Sequence, residues 1–190
     1  MKITKNKSYL RNIAEVISGI YIKPSPEGEI AYLQVKDLLM TFPASTAYRV
    51  SLSSKQSAYL LKKGDLLFAG KGTTYLCKVF DLDIPAVAST SLFTIRLHTD
   101  IVSPDFLCWY LNHPKVMTQM IASRAGSGTP LIHKPTLENI EIVIPDRETQ
   151  RRIVELSELQ KKEERLLKLI AEKRVLVTNQ ILMNEINNGI

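Results

Sequence analysis

The stretch from Asp146 to about Asn184 contains no glycine or proline, and the next glycine is Gly189. Because these two residue types end helices most readily, the stretch predicts one long α-helix. Roughly 38 residues at ~1.5 Å each would span about 57 Å. A helix of that length exceeds the width of a small domain. Most of it must therefore pack against another helix rather than against its own domain.

The residues just before this helix predict where the head of the chain ends. Ile140, Ile142 and Ile144 alternate with other residues, which is typical of a half-buried strand. Pro145 ends that strand because proline has no N–H for the ladder, and Asp146 can then cap the helix. The sequence therefore predicts two parts: a globular head over residues 1–145 and a long helix over residues 146–190.

Apolar residues recur along this helix with the heptad spacing of a coiled coil. Gln160, Glu163 and Arg174 interrupt the two apolar rows, and such residues can set the register of a helix pair. A helix pair or a docking arm tolerates these interruptions, whereas the length disfavours an amphipathic helix folded back on the head. The predicted pairing face comprises Ile153, Leu156, Leu167, Ile170, Val177 and Ile181.

Most of the excess positive charge lies in the head. The formal net charge is +6. The head has sixteen Lys and Arg against eleven Asp and Glu, so it accounts for +5, and the helix for +1. This distribution favours an anionic partner for the head, for which nucleic acid is the usual candidate.

The composition excludes some other classes of protein. The chain has no apolar run of 18 or more residues, which predicts no membrane span. The basic N-terminus is not followed by the apolar core of a secretion signal. Cys77 and Cys108 are widely spaced in the sequence. These features predict a cytoplasmic protein with reduced, buried thiols.

Local patterns predict an α+β fold, in which a mixed α/β recognition domain precedes the long C-terminal coiled-coil-type helix. A short helix capped by Ser8 is expected from Tyr9 to Ile17, closed by Gly19. Ser103 should cap another helix that has Pro104 at its first position. Further expected elements are a strand from Glu29 to Val35, a strand from Pro85 to Leu97 broken at Ser89 to Ser91, a helix from Lys115 to Arg124, and a turn over Leu137 to Asn139 capped by Thr136.

A basic, hydroxyl-rich hairpin tip is the first candidate binding site. Gly70-Lys71-Gly72 lacks the first glycine of a phosphate-binding P-loop, and a strand-like segment follows it where a dinucleotide loop needs a helix. A tip that approaches the backbone or base edges of nucleic acid explains its composition better. The first predicted group of DNA contacts is Lys71, Thr73, Thr74, Tyr75 and Lys78, and the second group is Ser127, Thr129, His133 and Lys134.

Signals for catalysis or for a metal are weak. His98, His113 and His133 lack the spacing of metal ligands, and no nucleophile motif appears. Asp105 follows a proline at an expected helix start, where capping explains it. Trp109 and the neighbouring tyrosine fit an apolar helix face in the core better than a base-stacking platform. The sequence therefore predicts no enzyme activity, no cofactor and no metal.

The order of several short motifs resembles one half of a type I restriction–modification specificity subunit, with one target-recognition domain and one conserved spacer helix. The resemblance covers nearly the whole chain, and the junction from Ile142-Val143-Ile144-Pro145 to Gln150-Arg151-Arg152-Ile153-Val154 is its most specific part. The other matching stretches are Tyr9 to Gly19, Ile30 to Asp37, Leu61 to Phe68, Val87 to Leu92, Phe106 to Asn112 and Leu137 to Pro145.

The resemblance implies a function that spacing alone does not show. Such subunits perform no chemistry; they read double-stranded DNA for methyltransferase and restriction subunits. The full-length form has two recognition domains and two helices that pack antiparallel, whereas this sequence has one of each. Two copies could form a homodimer through the helix and read a two-part palindromic site.

Other interpretations of the sequence stay open. A truncated or silent specificity cassette is one, and a protein-interaction adaptor with a coiled-coil arm is another. Steep salt dependence of DNA binding would separate a DNA reader from an adaptor. The recognition loops of the family vary, so the resemblance assigns no individual base contact to this chain.

Overall fold

Three β-sheets precede the long helix in the computed structural model, which describes residues 6–39, 47–71, 75–122 and 131–188. The strands are β1 (Asn6–Tyr9), β2 (Ala14–Ser18), β3 (Ile30–Leu33), β4 (Tyr48–Val50), β5 (Leu66–Ala69), β6 (Leu76–Val79), β7 (Ala86–Ala88), β8 (Leu92–Leu97) and β9 (Glu141–Ile144). The α-helices are α1 (Val35–Leu39), α2 (Pro104–Asn112), α3 (Pro114–Ala122), α4 (Lys134–Glu138) and α5 (Arg147–Asn188). Short 3-10 helices cover Leu10–Asn12 and Ser54–Tyr59.

The sheets join segments that are far apart in the sequence. The largest is antiparallel, in the order β2-β8-β5-β6. A second has the order β4-β3-β7, in which β3 and β7 run parallel. The third pairs β1 with β9, so the first described strand lies beside the last. The predicted α+β fold class is confirmed.

The chain changes sheets where the sequence predicts a break. The expected strand from Pro85 to Leu97 is two strands in two sheets, β7 and β8, because the small residues from Ser89 to Ser91 interrupt it. Gly19 makes a close contact at this point. A Cβ added there would lie 2.1 Å from the carbonyl oxygen of Ser89, so no other residue type fits without a backbone shift.

Buried side chains of the two larger sheets form two clusters. Leu33 of β3 and Ala88 of β7 share a cluster with Leu67 of β5, Leu92 of β8 and Phe80. Ile22, Tyr32, Val50 and Val87 form a second cluster that includes β3, β4 and β7 residues. Strand residues alternate between faces, so Tyr32 joins one cluster and its neighbour Leu33 the other.

Gln150 ties the first turn of α5 to the head. Its side chain is 1% exposed. The Nε2 group donates to the carbonyl oxygens of Ile101, at 2.8 Å, and Pro145, at 2.9 Å. Its Oε1 accepts from the N–H of Ser103 at 2.9 Å. One side chain thereby satisfies three backbone groups from two segments.

Helix α5 begins as the sequence predicts. The backbone N–H of Thr149 donates to Oδ1 of Asp146 at 2.8 Å, so Asp146 is the predicted cap. At 42 residues the helix is longer than expected, and it spans about 63 Å.

The chain divides into two compact units, Met1–Gln150 and Arg151–Ile190. Within the second unit Ile153 and Val154 are half-buried, and the large apolar side chains from Leu156 onward are exposed; Leu156 is 69% exposed and Val177 57%. No helix in the described ranges is both long and apolar enough to cross a membrane. The assignment of residues 1–145 to recognition and 146–190 to spacing stays a prediction.

The short helix expected from Tyr9 to Ile17 is wrong. The segment contains β1, a 3-10 turn and β2 instead. Ala14 and Val16 are buried while Glu15 between them is exposed, which is the period of a strand. Pairing of β2 with β8 therefore outweighs the local helical pattern.

Two smaller predictions also differ from the structure. Thr136 lies inside α4, whose N-cap is His133, because Pro135 favours a helix start one turn earlier than expected. The strand expected from Glu29 to Val35 is shorter, since Val35 opens α1. By contrast, Ser103 caps α2 as predicted, with its Oγ accepting from the N–H of Phe106 at 3.2 Å.

Replacing Gln150 with leucine should destabilise the head. The Gln150→Leu side chain has similar size but leaves three backbone groups without their partner. We expect a loss of about 2–3 kcal/mol in the free energy of unfolding, measured by urea denaturation. The control is Gln180→Leu on the exposed surface of α5. Equal stability of the two variants would contradict the anchoring role of Gln150.

Candidate nucleic-acid interface

The hairpin of β5 and β6 carries the first predicted group of DNA contacts. All four residues of β5 are buried, and β5 pairs with β6 on one side and β8 on the other. The last pair before the tip is Ala69 with Leu76. The segment that leads to Lys71 therefore follows directly from a strand in the middle of the core.

The structure brings Lys71, from the first predicted group, beside the segment that leads to His133 and Lys134 of the second group. Lys71, next to the tip, forms an isolated antiparallel bridge with Leu131, which precedes His133. The N–H of Ile132 donates to the carbonyl oxygen of Gly70 at 2.8 Å. Ile132 is buried, so this contact belongs to the fold and not to a mobile surface. Two segments about 60 residues apart in the sequence thus form one surface.

Gly70 permits this close approach. A Cβ at this position would lie 2.6 Å from Cε2 of Phe93 and 3.3 Å from the carbonyl oxygen of Ile132. A larger residue would have to displace the ring of Phe93, and the carbonyl oxygen of Ile132 would have to shift slightly. The glycine next to Lys71 therefore serves packing, not the binding of phosphate through a P-loop.

The predicted contact residues differ in their exposure. Lys71, His133 and Lys134 are exposed, and Tyr75 is half-buried. Lys134 also lies 3.6 Å from Oε1 of Glu138 within α4. Thr73, Thr74, Ser127 and Thr129 lie outside the described residues. The assignment of these side chains to DNA stays a prediction.

Lys78 has a structural contact of its own. Its Nζ donates to the carbonyl oxygen of Leu38, in α1, at 3.2 Å. Burial lowers the pKa of Lys78. The ammonium group thus lies against α1 and links this helix to the hairpin. Its role toward DNA stays a prediction. Of the two lysines, Lys71 is the better candidate for a DNA contact because its side chain is exposed.

A buried ion pair supports the hairpin at the end opposite the tip. Asp65, which is 3% exposed, accepts from Nε of Arg96 at 2.9 Å and from Nη2 at 2.6 Å. It also accepts from the N–H of Lys62 at 2.8 Å. The hydrogen bond with Asp65 raises the pKa of Arg96. The fork of the guanidinium group therefore joins β8 to the turn that starts β5.

That turn depends on Gly64. Its φ of +90° is in a region that residues with a Cβ rarely adopt. The turn over Lys63-Gly64-Asp65 places the carboxylate of Asp65 toward Arg96.

Two cation–aromatic pairs are further candidates for DNA contact, and the sequence analysis did not identify them. The ammonium of Lys36 lies 4.2 Å from the ring centroid of Tyr48, and the guanidinium of Arg11 lies 4.7 Å from that of Tyr9. Tyr48 is 49% exposed. Lys36 belongs to α1, the helix that Lys78 contacts. Since the first pair joins α1 to β4, no local pattern in the sequence indicates it.

Trp109 and Tyr110 are not in the core, contrary to expectation. Both are half-buried, and they line a cleft of about 600 Å³ between α2, α3 and β9. The hydroxyl of Tyr110 donates to the carbonyl oxygen of Glu141 at 3.1 Å and lies 3.4 Å from the N–H of Val143. It thereby covers the edge of β9 that faces away from β1.

The described residues hold no group of three or more His, Cys, Asp or Glu side chains that could bind a metal ion. Cys77 is buried, and burial raises the pKa of its thiol. Cys108 donates through its Sγ to the carbonyl oxygen of Cys77 at 3.3 Å. Asn112 donates to the same oxygen and accepts from the N–H of Cys77, both at 2.8 Å. These contacts dock α2 on the outer edge of β6.

Comparison with known proteins agrees with the fold and the resemblance in the sequence. A family model described as the type I restriction modification DNA specificity domain matches residues 5–172. This chain belongs to the type I restriction–modification DNA specificity family.

A curated relative is the specificity subunit of the type I restriction enzyme HindI from Haemophilus influenzae. It is 34% identical over 107 residues, which are 53% of this chain and 23% of that protein.

Solved structures of specificity subunits show the same fold. The S subunit of the type I system of M. genitalium matches with a TM-score of 0.59 and 17% identity, over 91% of this chain and 43% of that one. The HsdS subunit of Thermoanaerobacter tengcongensis matches with a TM-score of 0.60 and 20% identity, over 83% and 38%. A chain solved to study assembly of the type I system has a TM-score of 0.66 and 20% identity, over 91% and 42%. This chain spans less than half the length of each.

Removing the charge of Asp65 should destabilise the fold around the hairpin of β5 and β6. Asp65→Asn leaves the guanidinium of Arg96 without a charged partner inside the fold. We expect a loss of about 3 kcal/mol in the free energy of unfolding, measured by urea denaturation. The control is Asp83→Asn, which breaks the exposed ion pair with Lys63 and should cost less than about 0.5 kcal/mol. Similar losses in both variants would show that burial of the Asp65 pair has no special effect.

Proposed function

We propose that the chain is a non-catalytic DNA-recognition subunit of a type I restriction–modification system. It reads double-stranded DNA through its head and directs methyltransferase and restriction subunits to a two-part site. The observation that carries this proposal is the family match, which includes the head and most of the helix. Its place of action is the cytoplasm, where such subunits would meet DNA.

The charge and geometry of the head support DNA as its partner. The excess of positive charge lies in the head, and Lys71, His133 and Lys134 are exposed near the contact between the hairpin and the segment that leads into α4. Basic side chains that contact phosphates position a protein on DNA, while side chains in the grooves select the sequence. A rigid hairpin with a polar tip suits both tasks.

The exposed apolar side chains of α5 support pairing with a second copy. Leu156, Leu167, Ile170 and Val177 are each 48% or more exposed, and they lie on one face at heptad spacing. A homodimer through this face would provide two heads and two helices. It would then read a two-part symmetric site, with a spacing set by the helix pair.

A second apolar row on α5 supports a further partner. Leu169, Leu176 and Met183 repeat every seven residues, away from the pairing face, and are also exposed. A two-helix pair covers only one face, so this row is free to pack against another helix. A methyltransferase subunit is the partner we assign to it.

A protein-interaction adaptor is the second candidate function. The cleft beside Trp109 favours it, since an open concave surface with aromatic residues suits a protein segment. An adaptor would bind DNA weakly or not at all. A truncated or silent cassette would bind DNA as one head but would not assemble with partner subunits.

Truncating Lys71 should weaken DNA binding equally for all sequences. If Lys71 contacts a phosphate, Lys71→Ala should lower the slope of log affinity against log salt by about one. Fluorescence anisotropy with labelled duplexes over a series of KCl concentrations measures this slope. The matched control is Lys63→Ala, since Lys63 lies at the opposite end of the hairpin and pairs with Asp83.

Two outcomes would contradict parts of this proposal. A loss confined to particular sequences would make Lys71 a base contact. If the wild-type chain binds duplex DNA with no dependence on salt, or does not bind it at all, DNA recognition by the head is wrong and the adaptor is favoured.

A further inference from the structure

We propose that two copies paired through α5 in the antiparallel direction that the family resemblance implies adopt one register, which places Glu163 of each copy against the partner's Arg174. This inference rests on the proposed pairing of two copies and adds its register. It assigns a specific task to two charged residues on a face that is otherwise mostly apolar.

The two core rows of α5 each contain one charged residue. The first row is Ile153, Gln160, Leu167, Arg174 and Ile181, and the second is Leu156, Glu163, Ile170, Val177 and Asn184. Helix α5 is continuous through all of them, so the heptad spacing is not interrupted. Glu163 and Arg174 are exposed in the single chain, and both lie in the seam that a partner would cover.

In an antiparallel pair of helices, a residue of the first row faces a residue of the second row of the partner. A two-fold axis at the level between Lys168 and Leu169 matches every position of one row with a position of the other. Leu167 then faces the partner's Ile170, and Leu156 faces the partner's Ile181. In the same register Glu163 faces the partner's Arg174.

Symmetry makes this ion pair occur twice. The two ion pairs lie on either side of the two-fold axis. They are 11 residues apart along the helix, which is about 16 Å. Between them lie the apolar layers of Leu167 and Ile170. The helix pair thus has an apolar centre bounded by two ion pairs of opposite polarity.

Other antiparallel registers leave these charges without a counter-charge. A shift of one heptad in one direction places Arg174 against the partner's Leu156, and a shift in the other direction places it against the partner's Ile170. Glu163 likewise faces an apolar residue in both cases. Covering an unpaired charge is costly, so both shifted registers are disfavoured.

Parallel pairing is disfavoured more strongly. Each residue of a row then faces its own copy, so Glu163 meets the partner's Glu163 and Arg174 meets the partner's Arg174. Like charges in adjacent core positions repel, and a repulsive contact of this kind selects against the wrong orientation. Of these arrangements, only the antiparallel register with the central axis pairs both charges.

The remaining polar residues fit the same arrangement. Gln160 faces the partner's Val177, where its polar group lies toward the rim of the pair. Asn184 faces the partner's Ile153 near the ends, where water remains accessible. Neither layer contains an uncompensated charge.

Reversing the charges one at a time tests this register. In Glu163→Arg, two arginines meet in each layer, and in Arg174→Glu, two glutamates meet. Each variant alone should dimerise at least about tenfold more weakly than the wild-type chain, measured by light scattering or sedimentation over a range of concentrations. Glu172→Arg and Lys168→Glu, on the opposite face of α5, are matched controls and should leave dimerisation unchanged.

The decisive experiment measures dimerisation in an equimolar mixture of the two variants. In a mixed pair, both arginines of one copy face both glutamates of the other, so heterodimers should form where neither variant forms homodimers. The double variant Glu163→Arg with Arg174→Glu should also dimerise like the wild-type chain. A variant that merely disturbs folding of the helix would not be rescued in either way.

Three outcomes would overturn the inference. They are a wild-type chain that stays monomeric at all concentrations, single variants that dimerise like the wild type, and a mixture that stays monomeric. All of them are measured without DNA. Salt-dependent DNA binding by the head is measured separately, so failure of the register is distinguishable from failure of DNA recognition.

Discussion

The broad exposed apolar face of α5 is the constraint on which this account of the protein depends most. Helix α5 has 42 residues, and large apolar side chains remain exposed along most of it. Helices in water gain most of their stability from packing such a face against another element. We therefore propose that the helix packs against a partner, in the register that pairs Glu163 with Arg174. Such pairing would also provide a route to a two-part DNA site.

The head has a different requirement: its candidate DNA contacts must be held on a rigid support within its own fold. The buried pair of Asp65 with Arg96 fixes one end of the hairpin. At the other end, the carbonyl oxygen of Gly70 accepts from the N–H of Ile132, which joins the hairpin to that segment. Gln150 plays a similar role where α5 begins, because it satisfies backbone groups of two separate segments.

Local signals in the sequence were sufficient for some elements and insufficient for others. The absence of glycine and proline predicted α5, and Ser103 before Pro104 predicted the start of α2. The segment from Tyr9 to Ile17 is predicted wrongly, because its conformation depends on pairing with β8, about 80 residues away. For the same reason the sequence could not show that Lys71 meets Leu131, or that Lys36 lies over Tyr48. Contacts between distant segments decide how the candidate site is assembled, and single-sequence patterns do not contain them.

Selection of bound duplexes from a random-sequence DNA pool tests most directly whether paired chains read one two-part site. A symmetric antiparallel dimer should enrich an inverted repeat, whose two halves are separated by a spacer of constant length and unselected sequence. The mass of the complex should correspond to two chains on one duplex. Enrichment of a single unrepeated element by the wild-type chain, or no enrichment at all, would contradict recognition by a symmetric pair.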